Sequence, residues 1–210
     1  MSIKLNAQSG GSVALDAPTQ TTSSAYLTFK LPVADGSADQ VIKTDGSGNL
    51  SFAEAGAVLQ IKHQYLTSNT GISKSGAFSE LNTDLRIAFT PKKANSNLIL
   101  EFYACFISVN SNELSYAKFY DVTNSTVPSL PPANGNRDRV HWSNRKNAYD
   151  NHDLDACNFK IITAANNTTA RTYTVYWRTE GKTDTFFTGG SNVSALTVMP
   201  MVFTITEIAA

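Results

Sequence analysis

Cysteine is almost missing from this chain. Cys105 and Cys157 are the only two in 210 residues, too few for a disulfide framework. Both stand in β-prone apolar runs, where reduced, buried thiols are expected; a bridge would require those two runs to be neighbours with facing side chains. A surplus of charge is missing as well. Lys plus Arg and Asp plus Glu number 17 each, so no global field draws the chain to nucleic acid or to an anionic membrane. No apolar run reaches the roughly 18 residues of a membrane-spanning helix, and the opening MSIKLNAQSGG has no apolar core of a secretory signal. Nor does any stretch combine a sustained 3.6-residue apolar period with capping residues, which leaves little room for helix.

What is present is β texture in two grades. Residues 1–56 are rich in Ser, Thr, Gly, Ala and Asp, with apolar residues such as Ile3, Leu5, Val13, Leu15, Leu27, Phe29 and Leu31 at alternate positions. Alternation is a strand signal. So few large side chains in one copy cannot offset about 1 to 2 kcal/mol of backbone entropy per residue, so this segment needs partners to be ordered. Ala53 to Gly56 reads as a junction. Over 57–210, β-branched and aromatic runs are broken by turn clusters, the pattern of an all-β sandwich. Strands are expected near Val58–Leu66, Leu85–Thr90, Asn97–Val109, Leu114–Val122, Cys157–Thr163, Thr172–Thr179, Thr183–Phe187 and Leu196–Ile208. Eight strands suit a jelly roll.

The run Asn97–Val109 bears on assembly. Leu98, Leu100, Phe102, Ala104 and Phe106 share one face, and Ile99, Tyr103, Cys105, Ile107 and Val109 share the other, broken only by Glu101. In an isolated sandwich the outer face should be polar. Covering the second face with another subunit would recover about 1.5 to 3 kcal/mol per fully buried side chain; a covering loop within one subunit is the other way to bury it. Phe102, Tyr103, Phe106, Ile107 and Trp177 are therefore the candidate interface of a homotrimer, in which a threefold axis buries the N-terminal segment and one head face together.

The segment GSADQVIKTDGSGNLSF, Gly36 to Phe52, places Asp45-Gly46 and Gly48-Asn49, which tolerate positive φ, between two short β-prone runs. It resembles the "DGxxxQVLxTDGxGxLxW" segment that recurs before the heads of tailed-phage fibres, with Phe52 at the aromatic position. Upstream, GGSVALDAPTQTTSSAYLTFKLP, Gly10 to Pro32, resembles the Ser/Thr-rich segments that precede that motif. Downstream, LRIAFTPKKANSNLILEFYACF, Leu85 to Phe106, resembles the strand pair "xITPxxxxSKILIxxxV" of compact virion heads. The loop from Thr123 to Ala156 is longer and more charged than that pattern. The resemblance implies an intertwined trimeric fibre with an extended β stalk over 1–56 and a jelly-roll-like head over 57–210, located in the virion and partnered by other virion proteins. It carries no catalytic residues.

The one dense polar cluster is RDRVHWSNRKNAYDNHDLD, Arg137 to Asp155. Arg137, Arg139, His141, Trp142, Arg145, Tyr149 and His152 mix cations with rings, as surfaces that bind a host glycan or protein do; a solvated insertion whose charges pair among themselves has the same composition. His141, Asp150, His152 and Asp153 match no zinc spacing. Asp138, Asp150, Asp153 and Asp155 could supply the two carboxylates of a glycosidase, but a head of this size leaves little room for an extended substrate groove. No enzyme activity, cofactor or metal is expected. Ile3, Leu5, Val13 and Leu15 are the candidate docking residues for the virion, by strand addition. The expected role is a short fibre that attaches to the particle through its N-terminus and to the host through its head. A capsid or tail decoration protein without a receptor, and a C1q-like or lectin-like binding module, are the alternatives.

Overall fold

The computed structural model describes residues 3–6, 12–15, 21–22, 26–38, 40–54, 56–66, 71–74, 76–108, 113–146, 155–180, 184–187 and 201–210. The chain divides into two compact units, Met1–Ala55 and Gly56–Ala210. The first holds two antiparallel hairpins. Strands β1 (Ile3–Asn6) and β2 (Ser12–Leu15) set Ile3 opposite Leu15 and Leu5 opposite Val13. Strands β3 (Gln40–Thr44) and β4 (Leu50–Glu54) close around the Asp-Gly-Ser-Gly-Asn turn. Asp45 organises that turn. Its carboxylate accepts from the Ser47 amide at 2.8 Å and the Asn49 amide at 3.2 Å, and from Asn49 Nδ2 at 2.5 Å, and the bonds from Asn49 and Ser47 hold its pKa below the usual carboxylate value. Gly48, at φ +88°, must be glycine on two counts, since a Cβ there would also lie 2.3 Å from the Thr28 carbonyl oxygen. That close approach lets Lys30 bridge to the hairpin, donating to Gly48 O and accepting from the Leu50 amide, both at 2.8 Å.

Backbone order in this unit comes without a core among its described residues. None of its described side chains is buried, while Tyr26, Leu27, Phe29, Leu31 and Val33 stand 59 to 107% exposed.

The head is built from β5 (Val58–Leu66), β6 (Gly71–Lys74), β7 (Ser79–Glu80), β8 (Ile87–Phe89), β9 (Asn97–Ser108), β10 (Glu113–Asp121), β11 (Trp142–Lys146), β12 (Asp155–Ala164), β13 (Arg171–Thr179), β14 (Asp184–Phe187) and β15 (Met201–Ile208). A 3-10 turn at Thr83–Leu85, capped by the Asn82 side chain, is the one helical piece of the head among the described residues. All pairings between these strands are antiparallel. β9 has β12 along one edge; along the other it has β15 over 97–103 and then β14 over 106–108. β5 pairs β15, and β6 pairs β14. In the second sheet β10 lies between β11 and β13, and β13 has β8 and then β7 along its far edge. With β5/β6, β7/β8 and β14/β15 each treated as one interrupted strand, the two sheets run first-eighth-third-sixth and second-seventh-fourth-fifth, which is the strand order of a jelly roll. The expected strand total holds by compensation: β11 lies hidden in a charged loop, and the eighth position is split into two runs.

Between the sheets sits an aromatic core. Phe119 is its hub, with Phe159 at 4.6 Å, Phe203 at 5.4 Å and the His141 ring at 5.7 Å between centroids. Leu98, Leu100, Phe102 and Ala104 of β9 and Met201, Phe203 and Ile205 of β15 are all buried there. This corrects two of the expected interface residues. Phe102 and Trp177 are fully enclosed within the chain's own core, so neither has surface left for a partner. Tyr103 lies half-buried on the opposite face of β9; the side chains of Phe106 and Ile107 lie outside the described residues. Cys157 points into the core and Cys105, one register position away, to the other face, so the two thiols are buried on opposite sides of the β9–β12 pair.

β5 carries polar residues where a sandwich strand would turn apolar ones inward, because it closes an edge. Gln60 Nε2 donates to Thr90 O at 2.8 Å, Lys62 Nζ to Ala88 O at 2.8 Å and Gln64 Nε2 to Asp84 O at 3.1 Å. These side chains clip one sheet to the other. At one end of the same edge the fully buried carboxylate of Glu207 accepts from the Lys92 and Lys93 amides at 2.9 and 3.0 Å, from Ser96 Oγ at 2.5 Å and from Gln60 Nε2 at 2.6 Å. Burial pushes the carboxyl pKa up, but these four donors outweigh it and leave the group below its ordinary 4.5. A depressed carboxylate stabilises the fold fully above its unfolded pKa and loses that contribution as pH falls through the lower folded value. Urea unfolding should therefore show stability lost in acid below about pH 4.5, and Glu207→Gln should cost about 1 to 3 kcal/mol at neutral pH while weakening that acid dependence. An unchanged midpoint would mean the cluster is not structural.

Candidate functional site

The outer face of the second sheet concentrates the head's polar chemistry. Alternation places Ala117, Phe119, Tyr173, Val175 and Trp177 inward, which turns Tyr116, Lys118 and Tyr120 of β10 and Thr174, Tyr176 and Arg178 of β13 outward. Register sets Tyr116 opposite Arg178, Lys118 opposite Tyr176, and Glu80 of β7 next to Tyr176. Cations and rings interleave there. Lys118 Nζ sits 3.8 Å from the Phe78 ring centroid, and the Arg178 guanidinium lies 4.6 Å from the Tyr116 ring and 5.4 Å from Phe78. Tyr120 and Tyr176 stack at 4.1 Å and 19°.

The described carboxylates of this face are all engaged. Glu180 accepts from the Tyr116 hydroxyl at 2.5 Å, Asp138 pairs with Arg178 at 2.6 Å, and Glu80 takes both arms of Arg86 at 2.7 and 2.8 Å. Burial, then the Glu180 contact, raises the Tyr116 pKa, and burial lowers that of Lys118. Lys118 has no hydrogen bond or ion pair among the described residues; its ammonium lies on the Phe78 ring, in the field of the Asp138 carboxylate.

The loop expected to meet a receptor turns out to be partly scaffold. His141 Nδ1 accepts from the Phe119 amide at 3.0 Å and the His141 amide donates to Ala117 O at 3.0 Å. The ring is half-buried, and burial holds it below the ordinary 6.5 against the pull of the Pro128 and Ser129 carbonyls. Trp142 packs on Trp177 at 5.1 Å between centroids. Both residues therefore fasten the loop to the core while keeping part of their surface exposed. Arg137 and Arg139 are exposed on the loop, the latter donating to Pro131 O at 2.6 Å, and Arg145 is exposed on β11 opposite Leu114. Tyr149 and His152 lie outside the described residues. The side chains of Ile3, Leu5, Val13 and Leu15 do as well, although their strands pair as one hairpin. Asp138 ties the Arg137–Arg139 stretch to the sheet through Arg178, so two exposed arginines flank a fixed carboxylate at the rim of the aromatic face.

Phe78, Tyr116, Lys118, Tyr120, Tyr176 and Arg178 were not legible as a group. The available signal was the polar and aromatic alternation of Tyr116, Lys118 and Tyr120 within a strand of otherwise apolar parity.

No protein-family model and no curated protein matches the chain. Among solved structures it is similar to that of infectious bursal disease virus Gt strain, at a TM-score of 0.39 and 11% identity over 98% of this chain and 46% of that one. It is similar also to the infectious bursal disease virus VP2 subviral particle, at a TM-score of 0.33 and 12% identity over 76% of this chain and 40% of that one. The chain thus spans less than half the length of these structures. Likeness at this level transfers no role to it.

The half-buried imidazole has a measurable consequence. A folded pKa held below 6.5 means the unfolded chain takes up the proton first, so His141 makes the head lose stability as pH falls below about 6.5 toward its folded value. Melting temperatures followed from about pH 7.5 to 5 should decline, and His141→Gln, which keeps an acceptor for the Phe119 amide, should flatten that decline. An identical slope in the variant would reject a buried neutral histidine.

Proposed function

We propose that the chain is a short homotrimeric fibre of a tailed-phage virion, joined to the particle through its N-terminal unit and meeting the host surface through its jelly-roll head. The observation that carries this reading is the N-terminal unit itself: an ordered hairpin and bridge with no described side chain buried and with Tyr26, Leu27, Phe29, Leu31 and Val33 all exposed. Such a segment gains its core from neighbours, and two further copies of itself supply matching strands without any new protein. The resemblance of Gly36–Phe52 to fibre segments supports the same reading.

Adhesion by such a fibre works through number. Three heads on one trimer and many trimers on one particle raise avidity without a tight single site. The β1–β2 hairpin leaves strand edges that pair with no other strand among the described residues, which suits docking by strand addition.

Light scattering on the full chain should give a trimer, and a truncation starting at Ala57 should give a monomer, because the truncation removes the unit in which no described side chain is buried. A monomeric full chain would overturn the fibre reading. Deleting Ser2 to Leu15 should leave trimers that no longer join particles; normal incorporation would reject that segment as the dock.

A further inference from the structure

The outer face of the β11-β10-β13-β7 sheet carries more positive charge than the chain as a whole, which is balanced at 17 against 17. Each described carboxylate on it is already engaged, by Arg86, by Arg178 or by the Tyr116 hydroxyl. Arg137, Arg139 and Arg145 at the rim have no carboxylate within ion-pair distance among the described residues, and Lys118 at the centre has none in contact, feeling only the Asp138 carboxylate that Arg178 already holds. The positions are also uneven in kind: the rim cations are exposed, whereas Lys118 is half-buried with its ammonium held over Phe78.

We propose that this face binds an acidic glycan, a polysaccharide bearing carboxylates, with Lys118 meeting the carboxylate and the stacked Tyr120–Tyr176 pair offering apolar surface to the sugar ring. The proposal rests on the adhesion reading and names the partner that the head would meet.

Three features make the fit. Lys118 has already been stripped of part of its water, so an arriving carboxylate gains a charge-assisted bond without a full desolvation penalty on the protein side. Burial holds its pKa down, and an anion would relieve that. Ring faces beside cations suit a sugar, whose C–H faces lie on aromatic surface while its acid and hydroxyl groups reach charged neighbours. An acidic protein would satisfy the charges but has no particular use for rings already stacked at 4.1 Å. Finally, the face is preorganised. Arg178 is pinned by Asp138 and by two rings, and the tyrosines hold each other, so little side-chain entropy remains to be lost on binding.

The experiment is titration calorimetry of the full chain with polygalacturonate, dextran and polyglutamate at low and physiological salt. Polygalacturonate should bind with heat that weakens as salt rises, and dextran should give none. Lys118→Met, which keeps the stem on Phe78, should weaken binding about ten-fold, while Lys118→Arg retains it. Arg145→Ser, at an exposed rim position, should weaken it by about three-fold and serves if Lys118→Met does not fold. Absence of polygalacturonate binding, equal binding by a folded Lys118→Met, or polyglutamate binding as tight as polygalacturonate would each overturn the proposal, the last by assigning the face to an acidic protein. Because oligomeric state and particle incorporation are read separately, a head that binds no glycan on an intact trimer sinks this inference alone.

Discussion

A carboxylate with no access to water, that of Glu207, fixes how the two sheets of the head close. It reaches the turn after β8 through the Lys92 and Lys93 amides, the start of β9 through Ser96, and β5 through Gln60. Four parts of the chain that lie up to 147 positions apart in sequence meet on two oxygen atoms. Ionised carboxylates are not left bare in protein interiors, so the cluster forms completely or the edge opens. The clips from Gln60, Lys62 and Gln64 extend the same closure along β5, and the aromatic hub around Phe119 fills the space that closure defines.

Much of the head was legible because strand alternation is a short-range property. The run Asn97–Val109 announced a strand with two apolar sides, and Asp45-Gly46 with Gly48-Asn49 announced a turn that needs positive φ. What alternation cannot tell is which side faces inward. Phe102 and Trp177 were assigned to a subunit interface on parity alone, and both proved to lie in the core. Strand β11 escaped notice because Trp142 is its one large apolar residue; pairing with β10, not apolar content, makes it a strand.

The binding surface was harder to read for a related reason. Composition drew the eye to Arg137–Asp155, where charges and rings crowd in sequence. Crowding in sequence says little about exposure, and His141 and Trp142 turned out to be anchors. The cation and ring face, by contrast, is assembled from β7, β10 and β13, whose members are as much as a hundred positions apart. Only the register that sets Lys118 opposite Tyr176 brings them together, and register is a non-local property fixed by the packing of the whole sandwich.

The side-chain clips on β5 also bear on how the molecule behaves in a crowded solution. An open sheet edge is a template on which another molecule can lay a strand, and growth by that route has no natural end. On the β5–β8 flank the carbonyls of Asp84, Ala88 and Thr90 are occupied by Gln64, Lys62 and Gln60, and a lysine stands among the residues that guard it. At these three carbonyls the flank offers an incoming strand no free acceptor, so this edge is poorly placed to seed an aggregate.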